Sequence, residues 1–114
     1  MKQFAVDAAR EVRLTSDMKI KVGSALVRGN RILGLSANKR GTSPVRSAWS
    51  RHAEVGATIN RNAKGATVYV YREHGLTGEM LMAKPCLHCE EWLRYVGVRK
   101  VVYTTPNGLE SARL

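Results

Sequence analysis

Residues 66–72 read ATVYVYR, and residues 85–104 read PCLHCEEWLRYVGVRKVVYT. The first stretch is rich in β-branched and aromatic residues, which favour a strand. In the second stretch, apolar residues recur at helical spacing from 86 to 96, and Gly97 stands where a helix would end. Residues 100–104 are again strand-like. A strand, a helix and a strand in this order predict a right-handed crossover between parallel strands.

The preceding residues predict a helix at 1–17 and a hairpin with strands at 19–28 and 31–37. A loop at 38–50 and a second helix at 52–63 follow. Gly29 and Asn30 are the hairpin turn. Small residues at 23–25 let either a ligand or a helix approach the first strand closely. Residues 106–108 turn the chain into a last antiparallel strand at 109–114. We therefore predict a three-layer α/β/α domain with a mixed sheet of four to five strands and helices on both faces.

The composition fits one soluble domain over residues 1–114, with an apolar fraction of 44%. No apolar run approaches the ~20 residues of a membrane span, and the N-terminus is a charged amphipathic stretch rather than a signal peptide. Two cysteines so close together favour metal or redox use in a reducing compartment. We predict a cytoplasmic protein without a membrane partner. The net charge of +10 favours a phosphate-bearing partner, either a mononucleotide or a nucleic acid.

Two short segments bring together metal ligands and a carboxylate. Residues 52–54 read His-Ala-Glu, and Cys86 and Cys89 lie in the Pro-Cys-Leu-His-Cys segment at 85–89. One imidazole and two thiolates are the ligand count of a catalytic zinc, which keeps its fourth position open. Both segments begin predicted helices, and a helix N-terminus favours thiolate over thiol. We predict a Zn²⁺ site made of His52, Cys86 and Cys89.

Alternative interpretations exist for each segment alone. A C-x-x-C pair also occurs in redox proteins and in structural zinc ribbons, and a structural zinc would need a fourth ligand. His88 is the nearby candidate, but its position in the helical turn predicts that it lies at the surface. His74 is a loop residue without an assigned role. One predicted strand separates the two segments, so both helices can begin at the C-terminal edge of the sheet, where open α/β sheets bind ligands.

The pair H-x-E and P-C-x-x-C is the signature of zinc nucleobase deaminases, and residues 22–104 resemble the cytidine/deoxycytidylate deaminase superfamily. The small size and the basic loop resemble those of deoxycytidylate deaminases and of the compact deaminase-like proteins of bacteriophages. The resemblance implies strand order 2-1-3-4(-5), a homo-oligomer, and a role in nucleotide metabolism as a hydrolase. Zinc lowers the pKa of a water in its open position to about 7 and thereby supplies the attacking group for cytosine C4. Glu54 then transfers protons while ammonia leaves and uracil forms.

The resemblance also implies contacts to the substrate. An asparagine before H-x-E binds the sugar, which points to Asn38. The backbone around Ala53, Lys84 and Cys86 is expected to contact the base. The basic loop can hold a 5′-phosphate, through Lys39, Arg40, Thr42, Ser43 and Arg46. Lys84 replaces the Ser or Thr common in relatives.

The substrate stays open at the level of sequence. The first hypothesis is a cytosine mononucleotide. The second is a base in single-stranded DNA or RNA, which the charge favours. Trp49 could stack on such a base, but packing in the core or over the site is the favoured interpretation of this residue. A free nucleoside is a third choice. A non-enzymatic alternative is a catalytically inactive, zinc-stabilised module that binds nucleic acid.

Overall fold

A five-stranded mixed sheet forms the centre of the molecule. The computed structural model describes residues 2–40, 50–51, 53–59 and 61–114, without the side chains of 39, 40, 50, 51, 54 and 55. The helices are α1 (Gln3–Val12), α2 (Ala53–Thr58) and α3 (Leu87–Val96), and a 3₁₀ turn spans Arg13–Thr15. The strands are β1 (Ile20–Arg28), β2 (Arg31–Ala37), β3 (Lys39–Arg40), β4 (Ser50–Arg51), β5 (Thr67–His74), β6 (Lys100–Thr105) and β7 (Gly108–Arg113).

The strand order of the main sheet is β2-β1-β5-β6-β7. Only β5 and β6 pair in parallel, through the crossover that contains α3, and the other neighbours are antiparallel. Since β2 and β5 are both antiparallel to β1, the strands β2, β5 and β6 all point the same way. The predicted mixed sheet and its order are confirmed. The fifth strand is β7, which returns antiparallel to β6.

Alternating side chains of the strands build two cores on opposite faces of the sheet. On one face Ala25 and Val27 of β1 pack with α1, which contributes Ala5 and Ala9. On the other face Leu26 packs with α2 and α3. That second core also contains Ala57, Val68, Leu93 and Val101. One helix on the first face and two on the second give the predicted three layers.

Two glycines let helices lie directly on the sheet. A Cβ at Gly23 of β1 would lie 1.9 Å from the carbonyl oxygen of Ala9 in α1. A Cβ at Gly34 of β2 would lie 2.3 Å from the carbonyl oxygen of Ala57 in α2. Helix packing, rather than close approach of a ligand, therefore accounts for the small residue at position 23.

Two predicted helix ends and one predicted loop were wrong. The helix predicted over 52–63 ends at Thr58, where the Arg61 N–H donates to the Thr58 carbonyl at 3.1 Å. Gly56 and the β-branched Thr58 and Ile59 are weak helix formers. The helix predicted over 1–17 ends at Val12 and continues only as the 3₁₀ turn. The stretch predicted as a loop contains the paired strands β3 and β4.

The other elements agree with their predictions to within about two residues. Gly29, with φ 60°, turns β1 into β2. Gly97, with φ 93°, is the C-cap of α3, in the left-handed conformation that glycine adopts most readily. Within the described ranges, the helices are all too short or too polar to span a bilayer.

Candidate functional site

A cavity of about 450 Å³ lies where β2 and β5 end and β1 begins. This is the edge of the sheet at which the sequence predicts a ligand site. The walls come from the start of β1, the ends of β2 and β5, and the starts of α2 and α3. The lining residues are Met18, Lys19, Ile20, Val22, Asn38, Ala53, Val70, Arg72, Ala83, Lys84 and Cys86.

The starts of α2 and α3 meet at this cavity. Ala53 is the first residue of α2, and Cys86 is the N-cap of α3; both line the cavity wall. The two helices are also connected directly, because the Trp92 indole N–H donates to Thr58 Oγ1 at 2.8 Å. Ala53 stands between His52 and Glu54 in the chain. His52 and the Glu54 side chain lie outside the described residues.

The two cysteines lie at the first turn of α3. Cys86 has extended backbone (φ −67°, ψ 167°), and its carbonyl accepts the first helical hydrogen bond, from the Glu90 N–H at 2.9 Å. Cys89 follows three residues later and is buried, whereas Cys86 is exposed to the cavity. Residues three apart lie on the same side of a helix. Two thiols at a helix N-terminus, where thiolate is favoured, form a donor pair that fits zinc.

A buried threonine anchors the segment that leads to Cys86. Thr104 is fully buried; its Oγ1 accepts from the Arg72 N–H at 3.1 Å and donates to the Leu81 carbonyl at 2.8 Å. The Thr104 carbonyl accepts from the Ala83 N–H at 2.9 Å. These bonds attach residues 81–83 to the ends of β5 and β6. Sequence reasoning missed Thr104, because a threonine near a strand end carries no signal for such distant partners.

Asn38 lines the cavity, but its amide is bound to the protein. Its Oδ1 accepts from the Val22 N–H at 3.0 Å, and its Nδ2 donates to the Ile20 carbonyl at 2.9 Å. The same nitrogen lies 3.3 Å from Met18 Sδ. In this arrangement Asn38 fixes the beginning of β1, a role that the sequence did not predict. Its contact with a sugar stays a prediction.

The predicted phosphate-binding loop falls largely outside the described residues. Thr42, Ser43, Arg46 and Trp49 are not described; Lys39 and Arg40 form β3, and their side chains are not described. The described cavity wall instead contains Lys19, Arg72 and Lys84. Sequence reasoning did not assign Lys19 and Arg72 to the site.

Two histidines, His74 and His88, lie within the described residues, and neither was predicted as a metal ligand. His88 is exposed on α3, which confirms its predicted surface position. His74 Nδ1 accepts from the Leu76 N–H at 3.2 Å, within a local turn. Considering only the part of the chain that the structure describes, there is no group of three or more His, Cys, Asp or Glu residues able to hold a metal. The predicted ligand set includes His52, which lies outside that part.

The fold and the cavity define an α/β protein whose candidate ligand site is a cavity at the C-terminal edge of its sheet, lined by two helix starts. Sequence comparison then identifies the family. Residues 1–105 match the model of the cytidine and deoxycytidylate deaminase zinc-binding region. Since this match spans most of the 114 residues, the chain belongs to that family. No curated protein matches the sequence.

Solved structures of deaminases share the fold. The cytidine deaminase from Burkholderia pseudomallei has 20% identity and a TM-score of 0.73, covering 99% of this chain and 93% of its own. The dCMP deaminase from cyanophage S-TIM5 in apo form has 20% identity and a TM-score of 0.69; the match covers 92% of this chain and 86% of the phage chain. The structure of the same enzyme in complex with dCMP and dUMP has 20% identity and a TM-score of 0.68; the match covers 92% of this chain and 84% of the phage chain. At this identity, the likeness shows the fold.

Proposed function

We propose that this protein is a zinc-dependent hydrolytic deaminase that converts cytosine to uracil in a mononucleotide of the deoxycytidylate type. The observation that carries the proposal is that Ala53 and Cys86 line one cavity. Because Ala53 is the middle residue of His-Ala-Glu, this cavity joins the two segments that hold the candidate ligands and the carboxylate. Membership of the deaminase family supports the same chemistry.

Each residue has a separate role in the proposed reaction. His52, Cys86 and Cys89 would hold zinc, which supplies an acidified water as the attacking group when it is bound. Glu54, the second residue of α2, accepts the proton of that water and delivers it to cytosine N3. Once the oxygen has bonded to C4, Glu54 takes the second proton from that oxygen and passes it to the C4 amino group; the C4–N bond then breaks and ammonia leaves, while the C4–O bond becomes the carbonyl of uracil. The backbone at Ala53 holds the base.

The mononucleotide is favoured over the nucleoside by charge. The net charge of +10 suits a phosphate-bearing substrate, and a structure of similar fold was solved with dCMP and dUMP. Asn38 is proposed to contact the sugar. Five loop residues are proposed to contact the 5′-phosphate: Lys39, Arg40, Thr42, Ser43 and Arg46.

The test compares purified, zinc-loaded wild type with Glu54→Gln on dCMP, cytidine and a cytosine-containing oligonucleotide. We expect the wild type to convert dCMP fastest. Loss of the proton-transferring carboxylate should lower kcat by about 10²- to 10⁴-fold while zinc stays bound. Cys86→Ala and Cys89→Ala should instead lose zinc and part of the stability. His88→Ala, an exposed change in the same turn, should keep both and is the matched control.

Deamination within a polynucleotide is the second candidate, and the high positive charge favours it. Conversion of the oligonucleotide alone, with binding that weakens steeply in salt, would replace the mononucleotide proposal. If no substrate is converted while zinc remains bound, the protein is instead a zinc-stabilised binding module.

We also propose that the protein forms a homo-oligomer. Three large apolar side chains are exposed on α3, with 65% exposure for Leu87, 36% for Trp92 and 84% for Tyr95. An exposed group of this kind is typical of an interaction surface. Light scattering of the zinc-loaded protein should give a mass that is a multiple of 12.6 kDa, and Tyr95→Ser should lower it. A monomer at micromolar concentration would contradict the proposal.

A further inference from the structure

Three cations from separate segments converge on the described wall of the cavity. Lys19 precedes β1, Arg72 lies near the end of β5, and Lys84 lies in the segment that leads into α3. Arg72 and Val70 are two residues apart on β5, so both side chains point to the cavity face of the sheet. Lys19 and Lys84 are exposed, whereas Arg72 is half-buried.

No carboxylate neutralises these cations within the described part of the chain. The ion pairs found there are Arg13–Glu73 and Arg94–Glu90, and none of the described lining residues is acidic. A nearby lysine behaves differently: Lys21 donates through Nζ to the Ser16 carbonyl at 2.7 Å and does not line the cavity. Among the described residues, then, no acidic side chain competes with a ligand for the positive charge of the cavity wall.

Arg72 is held in place while most of its donors remain available. Its Nη1 donates to the Met82 carbonyl at 2.9 Å, and its backbone N–H is bound by Thr104. A guanidinium has five N–H donors in a planar fork that suits the oxygens of a phosphate. An arginine held by a hydrogen bond and two exposed lysines on the same cavity wall can together bind a multiply charged anion.

We infer that Lys19, Arg72 and Lys84 also bind the 5′-phosphate of the mononucleotide substrate, in addition to the five loop residues proposed above. This inference rests on the proposed function and adds three residues that would make the site specific for a phosphate-bearing substrate. A phosphate monoester carries a charge of about −1.5 to −2 at pH 7 with three acceptor oxygens, which three cations match better than the single charge of a phosphodiester. The cavity of about 450 Å³ lies within the range of roughly 300–1,000 Å³ typical of small-molecule sites.

The experiment uses the zinc-loaded full chain and three variants that each remove one positive charge. Lys19→Gln and Lys84→Gln change the subsite, and Lys64→Gln, an exposed residue outside the cavity wall, is the matched control. Calorimetry measures the Kd of dUMP, deoxyuridine and inorganic phosphate, and steady-state assays compare dCMP with deoxycytidine. The two lysine changes avoid Arg72, whose loss would also release Met82.

We expect each subsite change to raise the Kd of dUMP and the KM of dCMP about tenfold or more. Inorganic phosphate should compete with dUMP for binding to the wild type. In both subsite variants it should no longer compete. Deoxyuridine and deoxycytidine should be affected less than about twofold, as should every ligand in Lys64→Gln.

Several results would overturn the subsite. One is an equal loss of affinity for dUMP and for deoxyuridine in the subsite variants. A second is unchanged binding of dUMP and of phosphate in both variants. A third is a loss of binding or activity that affects an oligonucleotide alone. If the wild type and all variants deaminate deoxycytidine and dCMP equally well, the subsite proposal is wrong and the deaminase proposal stands. If no cytosine compound is converted, the phosphate and dUMP titrations still decide whether the cations bind a phosphate.

Discussion

At the scale of single residues, buried hydrogen bonds hold the cavity wall in place. Asn38 fixes the start of β1, and Thr104 ties residues 81–83 to the sheet. Neither role could be predicted from sequence, since each depends on partners at least 16 positions away that only the folded sheet brings near. Cys86 and Cys89 were predictable because their spacing of three is a local property of a helix start.

Thr104→Val tests the proposed anchoring of the Cys86 segment. Valine keeps the shape but leaves the Arg72 N–H and the Leu81 carbonyl without the hydroxyl. The free energy of unfolding should fall by about 1–3 kcal/mol, and zinc affinity, measured by chelator competition on the folded protein, should weaken. Thr104→Ser should restore both properties.

The control is Thr105→Val. Thr105 Oγ1 donates to the Gly108 carbonyl at 3.0 Å in the turn between β6 and β7, away from the Cys86 segment. Thr105→Val should lose stability while zinc affinity stays unchanged. Equal zinc affinity in the two valine variants would show that Thr104 has no positioning role.

At the scale of elements, the sequence predicted best where periodicity is strong and long. The elements β5, α3 and β6 agree closely because their apolar residues repeat at strand or helix spacing. The predicted end of α2 was wrong because Gly56, Thr58 and Ile59 are weak helix formers. The helix extends only to Thr58, where it packs onto β1 and β2. Lys19 and Arg72 reach one wall only through the pairing of β1 with β5, which sequence order does not reveal.

Gly34→Ala tests whether the seating of α2 controls the site. The added methyl would collide with the Ala57 carbonyl and push away the helix that begins beside His52. We expect lower stability together with weaker zinc binding. Gly23→Ala is the matched change on the other face, where α1 is displaced; it should lose stability but retain zinc affinity. Equal zinc affinity in both variants would contradict the proposed position of α2.

The β6–β7 hairpin should contribute a pH dependence through Tyr103. Burial raises the pKa of this phenol above its ordinary value of 10.0, and nearby Glu110, which accepts its O–H at 3.4 Å, raises it further. The folded state therefore keeps a proton that the unfolded state loses, so the stability contribution is present below pH 10 and is lost as pH rises through the folded pKa. Chemical unfolding of Tyr103→Phe should show a weaker decline in stability above pH 10 than wild type, and an equal decline in the two proteins would contradict this prediction.

At the scale of the whole molecule, charge and shape together distinguish the two substrate classes. A net charge of +10 would suit either a nucleotide or a polynucleotide, so composition alone could not choose between them. The structure adds a cavity of small-molecule size with cations on its described wall. For that reason the proposal favours a single phosphate over many.

Salt dependence measures how many phosphates are bound. Between 50 and 200 mM salt, the KM for dCMP should rise by about tenfold or less, because only one phosphate is neutralised. A protein that contacts 6–10 phosphates would lose about 10³- to 10⁵-fold in affinity over the same range. A loss of that size for an oligonucleotide, combined with its faster deamination, would contradict the mononucleotide proposal.

The proposed function requires the His-Ala-Glu and Pro-Cys-Leu-His-Cys segments to share one open zinc site. X-ray absorption spectroscopy of the purified full chain at the zinc edge measures the ligands of that site. We expect one zinc per chain with two sulfur ligands at about 2.3 Å and one imidazole nitrogen at about 2.0–2.1 Å, plus one exchangeable oxygen. Zinc with four protein ligands, or zinc bound without both sulfurs, would contradict it.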